Sequence, residues 1–231
     1  VNLVGHAPGP AGIDDVDPID DLVRRLPALG ACRADVQAAI DVIAAAFGGG
    51  GKLLVCGNGG SAADSEHLVA DLMKAFMLVR PIPADEQQRL LEIGGREAME
   101  LAGQLQGAMP ALALGSNGAF TTAMGNDVSY DLVFAQQVYG LGRPGDVLMA
   151  ISTTGTSPSV VQAALVARLR GMKVLLLTGR DGGDAAPIAD IAIRVPADRV
   201  YEIQELHLPV YHAIALALEQ RFFGPDPVPG R

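Results

Sequence analysis

The feature that most constrains this chain is a recurring unit: a short, uninterrupted apolar run that ends in a glycine or hydroxyl cluster and is followed by a longer helical stretch. The runs are 52–56 (KLLVC), 111–114 (ALAL), 147–151 (VLMAI), 173–178 (KVLLLT) and 191–195 (IAIRV). A strand that is apolar at every position has to be covered on both faces, and here the cover lies between successive strands in the sequence. The spacing therefore predicts an α/β fold, a doubly wound five-stranded parallel sheet flanked by helices in a flavodoxin-like sandwich. Helices are expected at 61–76, 118–140, 158–171, 185–189 and 201–222. Apolar positions over 19–47 also recur at helical spacing, with a break near Gly30, which reads as an opening helix pair or one kinked helix.

Residues 1–17 mix Gly, Pro and Asp without periodicity, as does the tail 224–231 (GPDPVPGR), so both ends are expected to be flexible. They bound a single domain over 18–223, in which a polar-apolar segment at about 84–106 reads as an inserted helix. With 17 Lys+Arg against 26 Asp+Glu, the net charge of −9 leaves no basic surplus to follow a phosphodiester backbone, so no nucleic-acid partner is expected. No apolar run reaches the ~20 residues of a membrane-spanning helix, and the first residues lack the order of a signal peptide. The expectation is a cytoplasmic protein with no membrane partner. Cys32 and Cys56, without a CxxC pair, read as small buried apolar residues.

In open α/β sheets ligands bind beyond the carboxyl ends of the strands, where loops meet helix N-termini. Two such loops stand out. Gly57-Asn58-Gly59-Gly60-Ser61 lets the backbone approach a ligand closely, with Ser61 in place to cap the next helix. Ser152-Thr153-Thr154-Gly155-Thr156-Ser157 lines a turn with hydroxyls and leads to Pro158, pre-set for a first helical position. Together they suit a phosphate monoester held by amides and neutral hydroxyls; no GK[ST] occurs and the glycines of the first loop do not fit GxGxxG, which removes the usual support for a nucleotide there. His67 and Asp71, four apart, share a helix face beyond the first loop, and Gln204, His207 and His212 lie on the last helix. His with carboxylate at this spacing fits acid/base work or a divalent metal such as zinc. Gln204 and His212 are separated by about 12 Å of ideal helical rise, so one metal reaches both only through a distortion, for which Pro209 is placed, or across subunits.

These residues resemble the sugar isomerase (SIS) domain family, in its sedoheptulose 7-phosphate isomerase, or phosphoheptose isomerase, branch. The segments that carry the likeness are CGNGGSAADSEH from Cys56, GND from Gly125, GDVLMAISTTGTS from Gly145, GMKVLLLTGRDGG from Gly171, IRVP from Ile193 and IQELHLPVYH from Ile203. The resemblance implies an aldose-ketose isomerase that converts sedoheptulose 7-phosphate to D-glycero-D-manno-heptose 7-phosphate through an enediol. It also implies a homotetramer with sites between subunits. By position, Ser61, Ser152, Thr154 and Ser157 would hold the phosphate, with Gly59 in the same loop, and Asn58, Asp127, Thr153 and Gln204 would contact the sugar. His67, Asp71, Gln204 and His212 fall where the family places zinc ligands, and Asp71 with His212 where it places its acid/base pair. The chain departs from the family in having Asp71 for a glutamate, Ala75 for an arginine and Tyr201 for an aspartate. An octose 8-phosphate isomerase of a specialised pathway and a non-catalytic phosphosugar-binding scaffold are the alternative readings.

Overall fold

The computed structural model describes residues 16–225. The flexible ends expected at 1–17 and 224–231 fall mostly on residues outside that range. Asp17 is within it and belongs to the first helix: its carboxylate accepts from the amides of Ile19 and Asp20 at 2.8 and 2.9 Å.

Five strands form one sheet: β1 (Leu53–Gly57), β2 (Ala111–Ala113), β3 (Val147–Ile151), β4 (Lys173–Thr178) and β5 (Ile191–Arg194). All neighbours are parallel and the order is β2-β1-β3-β4-β5, the flavodoxin-like arrangement expected from the apolar runs. The two-residue period of the strands divides the core. Leu53, Val55, Val147, Met149, Leu175 and Leu177 point into one apolar layer, whereas Leu54, Cys56, Leu148, Ala150, Val174 and Leu176 point into the other. The first layer is closed by α1 (Pro18–Arg25), α2 (Arg33–Gly48), α3 (Gly60–Met73) and α9 (Val200–Phe223), and the second by α7 (Val133–Leu141) and α8 (Pro158–Leu169). Cys32 and Cys56 are buried free thiols with pKa values pushed up by burial to about 11 and about 12.

The opening segment is the helix pair of the two expected alternatives, its break at Gly30 lying in a 3-10 turn at Pro27–Cys32. Other helices differ from the periodicity reading. The segment 84–106 holds two short helices rather than one, α4 (Ala84–Gly94) and α5 (Glu97–Gln104); α4 buries no residue and α5 only Ala98 and Ala102, so no long apolar stripe keeps the segment continuous. The expected helix at 118–140 divides into α6 (Gly118–Asp127) and α7, because the Ser129 hydroxyl accepts from the Asp131 amide and starts a new turn. At 185–189 only a 3-10 turn forms, Gly183–Ala185, five residues being too few to sustain helix nucleation. By contrast α9 runs unbroken through Pro209. None of the described helices is long and apolar enough to cross a membrane.

Candidate active site

β1 and β3 are adjacent, yet the chain leaves β1 toward one edge of the sheet and continues from β3 toward the other. Loops at such a switch point diverge and open a crevice, and both glycine-hydroxyl loops emerge there. In the first, Gly59 is the N-cap of α3 at φ +56, a conformation that side-chain-bearing residues rarely adopt. Ser61 therefore lies inside the first turn and caps nothing, a correction to the role its sequence position suggests. In the second, the Ser152 hydroxyl accepts from the Gly155 amide at 3.1 Å, and the Thr154 and Thr156 hydroxyls are 2.9 Å apart. Pro158 occupies the first turn of α8 as expected. Asn58 joins the loops by donating to Ser157 and Ser159 at 2.8 and 2.9 Å, while its buried Oδ1 has no partner. The Thr153 carbonyl accepts from the Gly179 amide at 3.0 Å, tying this loop to the end of β4.

α3 and α9 pack side by side and run in the same direction: Gln204 lies against Gly60, Tyr211 meets Asp64 and His67, and His212 faces His67 and Asp71. His67, Asp71 and His212 converge. Asp71 Oδ2 lies 3.6 Å from His67 Nε2 and 3.9 Å from His212 Nε2, and the two Nε2 atoms are 3.5 Å apart. Asp71 is 5% exposed and its Oδ2 has no hydrogen-bond partner. Burying a carboxylate oxygen without a partner is costly, so this arrangement calls for a bound cation or a hydrogen-bond donor. Donors 2.0–2.1 Å from a tetrahedral ion are about 3.3 Å apart, close to the spacing found here.

The tautomer of His67 follows from its neighbours. Tyr211 donates its one hydroxyl proton to Asp64 at 3.2 Å, so His67 Nδ1, 3.1 Å from the same oxygen, is the donor of that pair. Neutral His67 then carries a bare lone pair on Nε2, the atom that faces Asp71. Burial, with neighbouring His67 adding to it and Asp71 opposing, holds His212 below the usual imidazole value and so favours its lone pair. Burial also raises Asp64, and burial with Asp64 keeps the Tyr211 phenol protonated. Beside His212, a cavity of about 330 Å³ opens between α1 and α9, with Arg24 and Arg25 on its wall.

Two expected residues stand apart from this cluster within the chain. Gln204 sits at the loop end of α9, about 12 Å of helical rise from His212, because the helix is continuous and nothing folds it back. One chain therefore does not assemble the four-ligand set of His67, Asp71, Gln204 and His212. Asp127, exposed at the end of α6, accepts from Asn126 at 2.8 Å and makes no hydrogen bond to either loop. Asp64 and Tyr211 had escaped the sequence reading. Asp64 is three residues before His67 and seven before Asp71, a spacing that places it on their helix face, whereas Tyr211 carries no such signal.

Comparison with known proteins gives the family. A family model described as the SIS domain matches residues 19–89 and 92–179. The phosphoheptose isomerase of Geotalea daltonii is 41% identical over 189 residues, covering 82% of this chain and 85% of that protein. That of Rhodospirillum rubrum is 39% identical over 191 residues, covering 83% and 88%. The structure of phosphoheptose isomerase GmhA from Neisseria gonorrhoeae superposes with a TM-score of 0.68 at 32% identity, covering 87% of this chain and 94% of that one. The chain belongs to the SIS domain family and, within it, to the phosphoheptose isomerases.

Proposed function

We propose that this protein is an aldose-ketose isomerase that interconverts sedoheptulose 7-phosphate and D-glycero-D-manno-heptose 7-phosphate through an enediol. The observation that carries the chemistry is the buried, unpartnered Asp71 oxygen between two imidazoles, on the helix that starts at the phosphate-type loop. Asp71 removes the proton from C1 of the ketose as the C2 oxygen gains one, giving the 1,2-enediol. Return of a proton to C2, with loss of the O1 proton, completes the aldose. His212 serves the oxygens. Its single Nε2 lone pair acts either in proton transfer or as a metal ligand, not both at once.

Ser61, Ser152, Thr154 and Ser157, with the amides of the Gly59 turn, hold the phosphate. Asn58, Thr153, Asp127 and Gln204 contact the sugar. Zinc suits the His67, Asp71 and His212 donors and, when bound, supplies Lewis-acid polarisation of a substrate oxygen. The separation of Gln204 and Asp127 from the triad supports a homotetramer whose sites draw on a second subunit, and a cytoplasmic protein is consistent with a sugar-phosphate substrate. The test is isomerisation of sedoheptulose 7-phosphate in heavy water, followed by NMR. Deuterium at C2 of the aldoheptose, reduced at least about 100-fold in Asp71→Asn, is the expected result. Product without C2 deuterium excludes a solvent-exchanging enediol, and full exchange in the variant removes Asp71 as the base.

A further inference from the structure

The triad is divided between two helices, and its spacing depends on what fixes them to each other. Beyond Asp71, a buried ion pair does this. Arg80 and Glu219 are each 1% exposed, and Arg80 Nε donates to Glu219 Oε1 at 2.7 Å. The rest of the guanidinium donates to the carbonyls of Leu72 and Asp71, at 2.9 and 3.1 Å, acceptors that the end of α3 leaves without helical partners. Glu219 accepts from the amides of Phe76 and Met77, both at 2.9 Å, and Arg80 Cζ lies over the Phe223 ring, 4.8 Å from its centroid.

We infer that the Arg80–Glu219 pair is a positioning clamp for the His67, Asp71 and His212 cluster, setting its ligand and proton-transfer geometry without touching substrate. It reaches the cluster by three routes. Arg80 fixes the main chain of Asp71 itself. Glu219 lies seven residues beyond His212, within about 20° of the same face of α9, so gripping it fixes the rotation that aims His212. Glu219 also holds the Phe76 amide, and the Phe76 ring packs on the His212 ring with centroids 5.6 Å apart. Lysine, whose three donors all sit on one nitrogen, cannot reproduce the forked grip on one carboxylate and two carbonyls.

This inference rests on the isomerase reading of the triad, and its test separates the two. Arg80→Lys and Glu219→Gln would be compared with wild type for zinc affinity by chelator competition, and for kcat and KM with sedoheptulose 7-phosphate. Asp146→Asn is the control: it weakens a buried contact to Lys52 just before β3, at the end of the sheet opposite the site. The clamp variants are expected to lose about tenfold or more in zinc affinity and in kcat, with KM within about twofold. The control, at a similar loss of melting temperature, is expected to change neither. Folded clamp variants with wild-type affinity and kcat overturn the inference, as does a control that reproduces both losses. If wild type binds no zinc, the metal reading fails and the split between kcat and KM alone decides. If neither clamp variant folds, Glu219→Asp, which keeps the charge but draws the carboxylate back from Arg80 Nε and the Phe76 amide, takes their place with the same outcomes.

Discussion

Tyr211→Phe isolates one oxygen atom at the centre of the site. Tyr211 is buried, and its ring sits edge-on to His67 and His212 with centroids 5.5 and 5.1 Å away. Phenylalanine keeps that packing and the burial, so the variant loses only the hydroxyl that links Asp64 to His67 Nδ1. Two hydrogen bonds disappear, one of them to a half-buried carboxylate, and folding stability should fall by about 1–2 kcal/mol. The larger effect is on His67, whose Nδ1–H loses its acceptor, so that neither ring orientation nor tautomer is set. Loss of such an outer partner weakens metal affinity by about 10–100-fold, equivalent to about 1.4–2.7 kcal/mol. Chelator competition with zinc, on protein shown to be folded by its thermal melt, reads this directly. A folded variant that binds zinc as wild type does would refute the chain of reasoning from Asp64 through Tyr211 to the Nε2 lone pair.

Two further outcomes follow from buried groups. His207 is 0% exposed, and burial, opposed by the Thr178 backbone, lowers its pKa from 6.5 to about 4. The unfolded chain gains a proton as pH falls through 6.5 while the folded chain resists until about 4, so stability present above pH 6.5 is lost on the way down, by up to about 3 kcal/mol. Denaturant melts at several pH values should show this slope, and His207→Leu should flatten it by about one proton; identical slopes would count against the assignment. In the hydroxyl loop, Gly155 has φ +67, and an added Cβ would stand 1.9 Å from the Gly182 carbonyl oxygen. Gly155→Ala should cost about 2–3 kcal/mol and raise KM for the sugar phosphate, and an unchanged KM would separate this loop from phosphate binding.

The strands were legible because full burial on both faces leaves a continuous apolar run, which hardly another element of that length produces. Val147–Ile151 and Lys173–Thr178 agree with the sequence reading to the residue. Helix ends were less legible, since they depend on local polar choices such as the Ser129 hydroxyl, which periodicity does not register. Of the site, His67 and Asp71 could be paired by spacing on one helix. His212 was joined to them only by the family resemblance, since spacing does not register that α9 packs parallel to α3. The Arg80–Glu219 contact joins residues 139 apart in the chain and leaves no local trace in the sequence. The same parallel packing accounts for Gln204: it touches the loop glycine because it begins the helix that His212 continues.

The unbroken α9 also acts as a ruler. It has Gln204 beside Gly60, where the first loop enters α3, and His212 beside Asp71, about 12 Å apart along one unbroken helix. Such a rod cannot be lengthened gradually, because one inserted residue turns everything beyond it by about 100° and swings His212 away from Asp71. Only steps near a whole turn, about 5.4 Å, keep the face. A change of substrate by a single carbon must therefore be met by side chains and loops, as a carboxylate one methylene shorter than glutamate at position 71 would do, while the helix keeps its length.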